Sequence, residues 1–346
     1  MRELTESLRR FARALGADLV GITPAARLDA ALTPPNRAGD QFPGAKSVVV
    51  LGLHIPDASL EVMRKGISNY SYNMFGYAYL NRELDYLAYR VTRYLEDHGF
   101  LALPIPARGE HYWEQRRHYG PLSFRHAAVA AGLGTFGWQG LVLTPEFGPR
   151  QRFITVLTDA ELEADQVLKE DLCRRCMACV RNCPAGAIKE EEWEVVIGGR
   201  KFVYGVVDSG ACWWTAVGLS TRLWEGTPFQ PQVDLPRPSS LSPRLVYEYL
   251  WHRRDPRLVN SEHPEGNFGA SFCGRCLIIC PVGHAAARRR TGGKMRVQAC
   301  GPGSAGPGPG LFSDQDCEYC QSGGAGAGHG AQFYLGEYLQ KQFPGR

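Results

Sequence analysis

With 346 residues, 44% apolar and 21% charged, the chain has room for two or three domains and the ordinary makeup of a soluble globular protein. A formal charge of +4 is too small to mark a nucleic-acid binder by itself. No stretch approaches the ~20 consecutive apolar residues of a membrane span.

Near the amino terminus, Ser7-Leu-Arg9-Arg10-Phe11 superficially fits a twin-arginine export signal. The segment after it, Ala12 to Asp18, is charged and too short to be an apolar signal core. Leu4, Leu8, Phe11 and Leu15 share one helical face instead, with Gly16 placed to stop the helix. The amino terminus is therefore expected to be part of the fold and the protein cytoplasmic. In that reducing compartment its eleven cysteines point to metal ligands rather than disulfides.

The first half reads as α/β. A helix over about residues 4–15 precedes a short strand at 17–23. Lys46 to His54 is a continuous apolar run of strand length, suited to a buried central strand. Leu80, Leu84, Leu87, Val91 and Leu95 repeat at helical spacing up to Gly99. Phe124 to Ala131 reads as an alanine-rich helix and Phe153 to Leu157 as another strand. Tyr70, Tyr72, Tyr77 and Tyr79 crowd what reads as one loop. Gly132-Leu-Gly134-Thr135-Phe-Gly137 fits G-x-G-x-x-G, but a helix rather than a strand precedes it, the wrong context for a dinucleotide turn. Those glycines are expected to let the backbone approach something bulky and flat, or to end a helix.

The second half is organised by cysteine. Cys173-Arg-Arg-Cys176-Met-Ala-Cys179-Val-Arg-Asn-Cys183-Pro184 is a C-x2-C-x2-C-x3-C-P run, and Cys273-Gly-Arg-Cys276-Leu-Ile-Ile-Cys280-Pro281 is a C-x2-C-x3-C-P run. In two-cluster ferredoxins such spacing gives three thiolates to one iron–sulfur cubane, while the cysteine before proline ligates the other. Zinc sites also use C-x2-C pairs, but need neither a third cysteine two residues on nor a fourth before proline. Two cubanes take about eight thiolates, the runs supply seven, and Cys212 lies between them as the natural eighth. The crossover expected is Cys173, Cys176, Cys179 and Cys280 for one cluster, and Cys183, Cys212, Cys273 and Cys276 for the other. Between the runs, Glu194 to Tyr204 reads as a hairpin turning at Gly198-Gly199.

Beyond the second run, Arg288, Arg289, Arg290, Lys294 and Arg296 form a basic cluster whose default reading is a solvated face. Glycine-rich stretches follow at 301–310 and 322–330, with a short amphipathic piece at 333–343. Cys300, Cys317, Cys320 and His329 could bind a third metal, but their glycine-rich flanks argue against a rigid site. The domains expected are 1–160, an α/β cofactor and substrate domain; 161–296, the cluster domain; and 297–346, a glycine-rich extension.

On these residues the chain resembles the epoxyqueuosine reductase family and, more distantly, the reductive dehalogenases. The resemblance spans roughly residues 1–285 and rests on Phe42 to Val50, Ala131 to Gly137, Leu157 to Asp165, Asp208 to Cys212 and both cysteine runs. It implies a nitroreductase-like, cobalamin-binding α/β domain followed by a ferredoxin-like domain with two [4Fe–4S] clusters, and the ligand sets above agree with it. It implies a base-off cobalamin near the glycine turn, with Gly132, Gly134, Thr135 and Gly137 as cofactor contacts. The activity implied is reductive removal of an oxygen or halogen from a small molecule or modified nucleoside, fed by a ferredoxin or flavodoxin. The family's epoxyqueuosine enzymes carry an aspartate upstream of the glycine turn, in a stretch like Asp-Ser-x-Pro. Counting back without gaps, that place here is His118, in His118-Tyr119-Gly120-Pro121. His118 is the candidate proton donor, with Tyr119 and Tyr72 as alternates, because an imidazole titrates near neutral pH. A tRNA partner has no support in the tail, where no helical-repeat module follows the clusters. The reading from another class is an iron–sulfur electron carrier or corrinoid-activating partner without its own substrate. A flavin in the α/β domain is a third.

Overall fold

The computed structural model describes residues 1–65, 67, 69–107, 120–220, 234–239, 241–242, 245–246 and 273–284. His118 and Tyr119, the basic cluster from Arg288 to Arg296, and Cys300, Cys317, Cys320 and His329 lie outside them.

In chain order, α1 (Arg2–Ala14) leads into β1 (Leu19–Pro24), α2 (Ala25–Asp29), α3 (Ala38–Gln41) and β2 (Ser47–His54). Next come α4 (Asp57–Arg64), α5 (Tyr70–Asn73), a π-helical turn (Met74–Ala78), α6 (Tyr79–Asp97) and β3 (Ala102–Ile105). Then α7 (Phe124–Ala130) is followed by the two-residue strands β4 (Thr135–Phe136) and β5 (Val142–Leu143), and by β6 (Gln151–Thr158). The sheet runs β1-β2-β6-β3 and every pairing in it is antiparallel.

The apolar run of β2 works on both faces because strand side chains alternate. Val49 and Leu51 sit opposite Ile22 and Val20 on one side and Val156 and Ile154 on the other. That face packs under Leu8 and Ala12 of α1 and Leu84, Leu87, Val91 and Leu95 of α6. Val48 and Val50 face the opposite way, into a core with Leu28 of α2 and Ala127 to Ala130 of α7. The central strand is thus continuously apolar because helices cover both faces, as expected, although its neighbours run antiparallel to it. The edge strand β3, which the sequence reading missed, carries Pro104, a residue suited to a position with no further ladder partner.

The four tyrosines do not share a loop. They lie on α5, the π-helical turn and the start of α6, and only Tyr72 is fully buried. Tyr70 and Tyr79 face solvent. Arg9, half of the apparent export signal, belongs to the fold: it donates to the Val20 carbonyl at 3.1 Å and to Asp165 at 2.7 Å.

The outer edge of β1 is covered by the connection out of the sheet. The Asp165 amide donates to the Ile22 carbonyl at 2.9 Å, and its carboxylate accepts from the Ile22 amide at 2.8 Å. Arg27 donates to the carbonyls of Asp165 at 2.6 Å and Ala130 at 2.9 Å, tying this connection to the end of α7. The second part of the chain therefore starts from a fixed point on the core. After it come α8 (Ala178–Arg181), the hairpin β7 (Ile188–Ile197) and β8 (Arg200–Val207), α9 (Ser209–Ala216) and α10 (Arg275–Ile279). The hairpin turns at Gly198 and Gly199, with φ of 59° and 78°, as its paired glycines predict.

Leu51→Ala tests this architecture. The side chain is fully buried in the central strand, so its truncation is expected to cost about 2–5 kcal/mol, read as a lower urea midpoint with an unchanged slope.

Candidate metal centre

The first cysteine run enters from the core. Its approach is fixed where the Leu172 amide donates to the Thr135 hydroxyl at 3.1 Å, one residue before Cys173. The chain then folds back on itself with left-handed backbone at Arg175 (φ 48°) and Met177 (φ 56°), neither of them glycine. Such conformations are costly for side-chain-bearing residues and cluster at ligand clamps. They let the short helix α8 start at once, so that Cys176 stays exposed while Cys179 is buried.

The second run approaches from the other end of the chain. Cys273 precedes α10, Cys276 lies in it and Cys280 terminates it. A single buried cation places that terminus. Arg150, 1% exposed, donates to the carbonyls of Phe147 at 3.1 Å, Val282 at 2.7 Å and Cys280. It also donates to Nε2 of His284 at 2.6 Å. Burial, with Arg150 beside it, holds His284 down at about 4, so the imidazole is neutral and accepts that bond. Arg150 immediately precedes β6, so the sheet itself holds Cys280.

Cys173, Cys176, Cys179 and Cys280 line one small cavity, with Trp138 and Gln139 in its wall. The charges felt by each thiol sort the cysteines in the same way. Cys179 is pushed up to about 12 by burial and then by Cys173, Cys280 and Cys176. Cys212 is pushed up to about 11 by burial and then by Cys183 and Asp208. Cys273 reaches about 12 through burial, with Cys212 and Cys183 adding to it. Cys276 is raised well above its ordinary value by burial, then by Cys273, Cys212 and Cys183, and last by Cys179. Two sets of four result, they are the crossed sets expected from the spacing, and they adjoin at Cys179 and Cys276.

Cys212 reaches its set through the hairpin. The Asp208 amide donates to the Ala187 carbonyl at 2.8 Å, and its carboxylate caps α9 by accepting from the Ala211 amide at 2.9 Å. This seats Cys212 one turn into the helix. Around both sets, Trp138, Ile188, Val180, Val207 and Ile279 form an apolar shell.

Buried thiols with raised values resist ionisation, and four thiolates together repel one another. A polynuclear metal cluster supplies the positive charge that such a set lacks, so the donor sets fit [4Fe–4S] clusters in number, chemistry and dryness. Among the described residues, no three His, Cys, Asp or Glu side chains are grouped so as to hold a single metal ion.

At the glycine turn, the chain's own atoms make the close approach. A side chain at Gly132 would strike the Gln166 carbonyl, and one at Gly134 the Leu143 carbonyl. Thr135 is engaged with Leu172, and Gly137 lies against the Gln139 carboxamide. The turn is packed against the connection that carries the first cysteine run. Tyr72 is fully buried with an unpartnered hydroxyl, and its ring lies 3.1 Å from where a side chain on Gly274 would begin. Burial raises its phenol well above the ordinary value. Trp138, Gln139 and Arg150 escaped the sequence reading, and no motif marks them.

Comparison with known proteins agrees with the cysteine pattern. Residues 167–189 match the family described as 4Fe–4S binding domain. A tetrachloroethene reductive dehalogenase of Desulfitobacterium hafniense is 34% identical over 150 residues, 42% of this chain and 24% of that one. The epoxyqueuosine reductase of Escherichia coli strain K12 is 40% identical over 70 residues, 20% of this chain and 18% of that one. Among solved structures, a reductive dehalogenase reported for B12-dependent dehalogenation superposes with a TM-score of 0.48 at 20% identity, covering 79% of this chain and 37% of the other. The chain spans about a quarter of the length of the curated dehalogenases it matches.

The crossed sets make a prediction that an uncrossed arrangement contradicts. Cys280→Ala should lower bound iron from about eight to about four per chain. Adding Cys173→Ala should remove no more, because both ligands serve one cluster. If each run held its own cluster, the double variant would lose nearly all its iron.

Proposed function

We propose, starting from this chain's kinship with the reductive dehalogenases and the epoxyqueuosine reductases, that it is an iron–sulfur reductase removing an oxygen or halogen from an organic substrate. The observation that carries the reading is the sorting of eight cysteines into two adjoining sets of four. Two clusters side by side form a one-electron relay, and the relay has a direction. Cys176 of the first set is exposed, whereas Cys273 and Cys276 of the second are partly buried beside Tyr72. Electrons from a ferredoxin or flavodoxin enter at the first set, through exposed Cys176, and pass to the second.

Reductive removal of a halide consumes two electrons and a proton, converting R–X to R–H and X⁻. Removal of an epoxide oxygen consumes two electrons and two protons and releases water. The proposal includes base-off cobalamin, which supplies a strongly nucleophilic reduced metal when bound.

The protein's own contribution is dryness and a held proton. Tyr72 stands beside Cys273 and Cys276 of the second set, with its hydroxyl buried and unpartnered. Its raised value keeps the phenol protonated, so it is a proton donor awaiting an acceptor that substrate would provide. His118 and Tyr119 stay candidates for the same role on sequence grounds. No helix among the described residues is long and apolar enough to cross a membrane, and we place the protein in the cytoplasm.

Two measurements test the proposal. Titration of anaerobically prepared protein with cobalamin, followed by visible absorbance, should show one-to-one binding with loss of the lower base. Absence of binding selects the carrier without its own substrate. In the reductase, Tyr72→Phe should leave stability unchanged or slightly higher, since it deletes an unpaired buried hydroxyl. The same change should slow single-turnover product formation by about 10²-fold or more. Undiminished turnover would remove Tyr72 from the mechanism.

A further inference from the structure

The wall of the first cavity contains a donor that has no partner among the described residues. Gln139 lines the cavity together with Cys173, Cys176, Cys179 and Cys280, and is 6% exposed. Its Nε2 is buried and has no hydrogen-bond partner. The neighbouring donor in the wall is already committed, since the Trp138 indole N–H reaches the Lys189 carbonyl at 2.9 Å. A buried amide N–H left unpaired costs about 1–3 kcal/mol, so its retention calls for an acceptor.

The position is built by the backbone. Gly137 leaves room where a Cβ would come within 2.5 Å of the Gln139 Oε1 and 3.0 Å of its Nε2. The last glycine of the G-x-G-x-x-G string therefore accommodates a side-chain amide. Of the two ends of that amide, the N–H is the one that suits a sulfur-rich anion, because its oxygen would repel thiolate and sulfide alike.

We infer that the Gln139 carboxamide donates an N–H···S hydrogen bond to the cluster held by Cys173, Cys176, Cys179 and Cys280, and raises its reduction potential. The inference rests on the cluster reading above. Reduction adds one negative charge to the cluster, and an N–H dipole pointed at sulfur stabilises the reduced form more than the oxidised one. Hydrogen bonds to cluster sulfurs are among the terms that set these potentials. Gln139 is a positioning residue for electrons: it eases their entry at the solvent-facing cluster.

The test is a redox titration of anaerobic, iron-loaded full-length protein followed by EPR, with the first cluster's signal identified by its loss in Cys280→Ala. Gln139→Leu removes the donor, and Gly137→Ala displaces the carboxamide while keeping it. Both should retain full iron and show a first-cluster reduced-to-oxidised ratio about tenfold lower at fixed potential. That is a fall of about 59 mV for a one-electron couple, with the second cluster unmoved. Full iron with both midpoints unchanged overturns the assignment, as does loss of the first cluster from both variants, since a tuning donor is dispensable for loading. If the unaltered chain binds about four irons or fewer, the two-cluster reading itself fails, and the iron count reports that separately.

Discussion

Eight thiols drawn from three separated stretches of chain must be held together out of water, and almost every unusual feature of this protein answers that demand. Buried thiols prefer to stay protonated, and thiolates gathered in fours repel one another. Only a metal cluster's positive charge reconciles burial with ionisation. The chain must hold these groups near one another, against their own electrostatics. It does so by fixing each entry point to the sheet. Asp165 and Thr135 fix the first run, Asp208 fixes Cys212, and Arg150 fixes Cys280.

That anchoring ties the cluster region to the α/β core. The Val282 carbonyl and Gly283 sit directly against Phe147 and Gly148, and the Arg150 guanidinium fills the junction. An electron relay benefits from this rigidity, because transfer between centres depends on fixed separations. The same packing leaves Cys176 exposed and sets Gly274, between Cys273 and Cys276, against Met63 and Tyr72.

Much of this was readable from residue order. The helical face at Leu84, Leu87, Val91 and Leu95, the apolar run of β2 and the glycine hairpin all reappear as expected, and the two cysteine runs come together with Cys212. Each depends on a period or a spacing, which sequence displays directly. Other features were hidden for physical reasons. The tyrosines of 70–79 read as a loop, whereas they lie on α5, the π-helical turn and the start of α6. The contacts of the glycine turn were hidden too, since the atoms that a side chain at Gly132 or Gly134 would meet belong to Gln166 and Leu143.

By itself, then, the order of residues determined which elements form and how many thiolates each cluster can claim, because propensity, periodicity and ligand spacing are local properties of a chain. Only the tertiary structure decided which groups surround those thiolates. Arg150, Trp138 and Gln139 carry no local signature, and they gain their roles from distant segments brought against them, where burial removes water as the alternative hydrogen-bond partner.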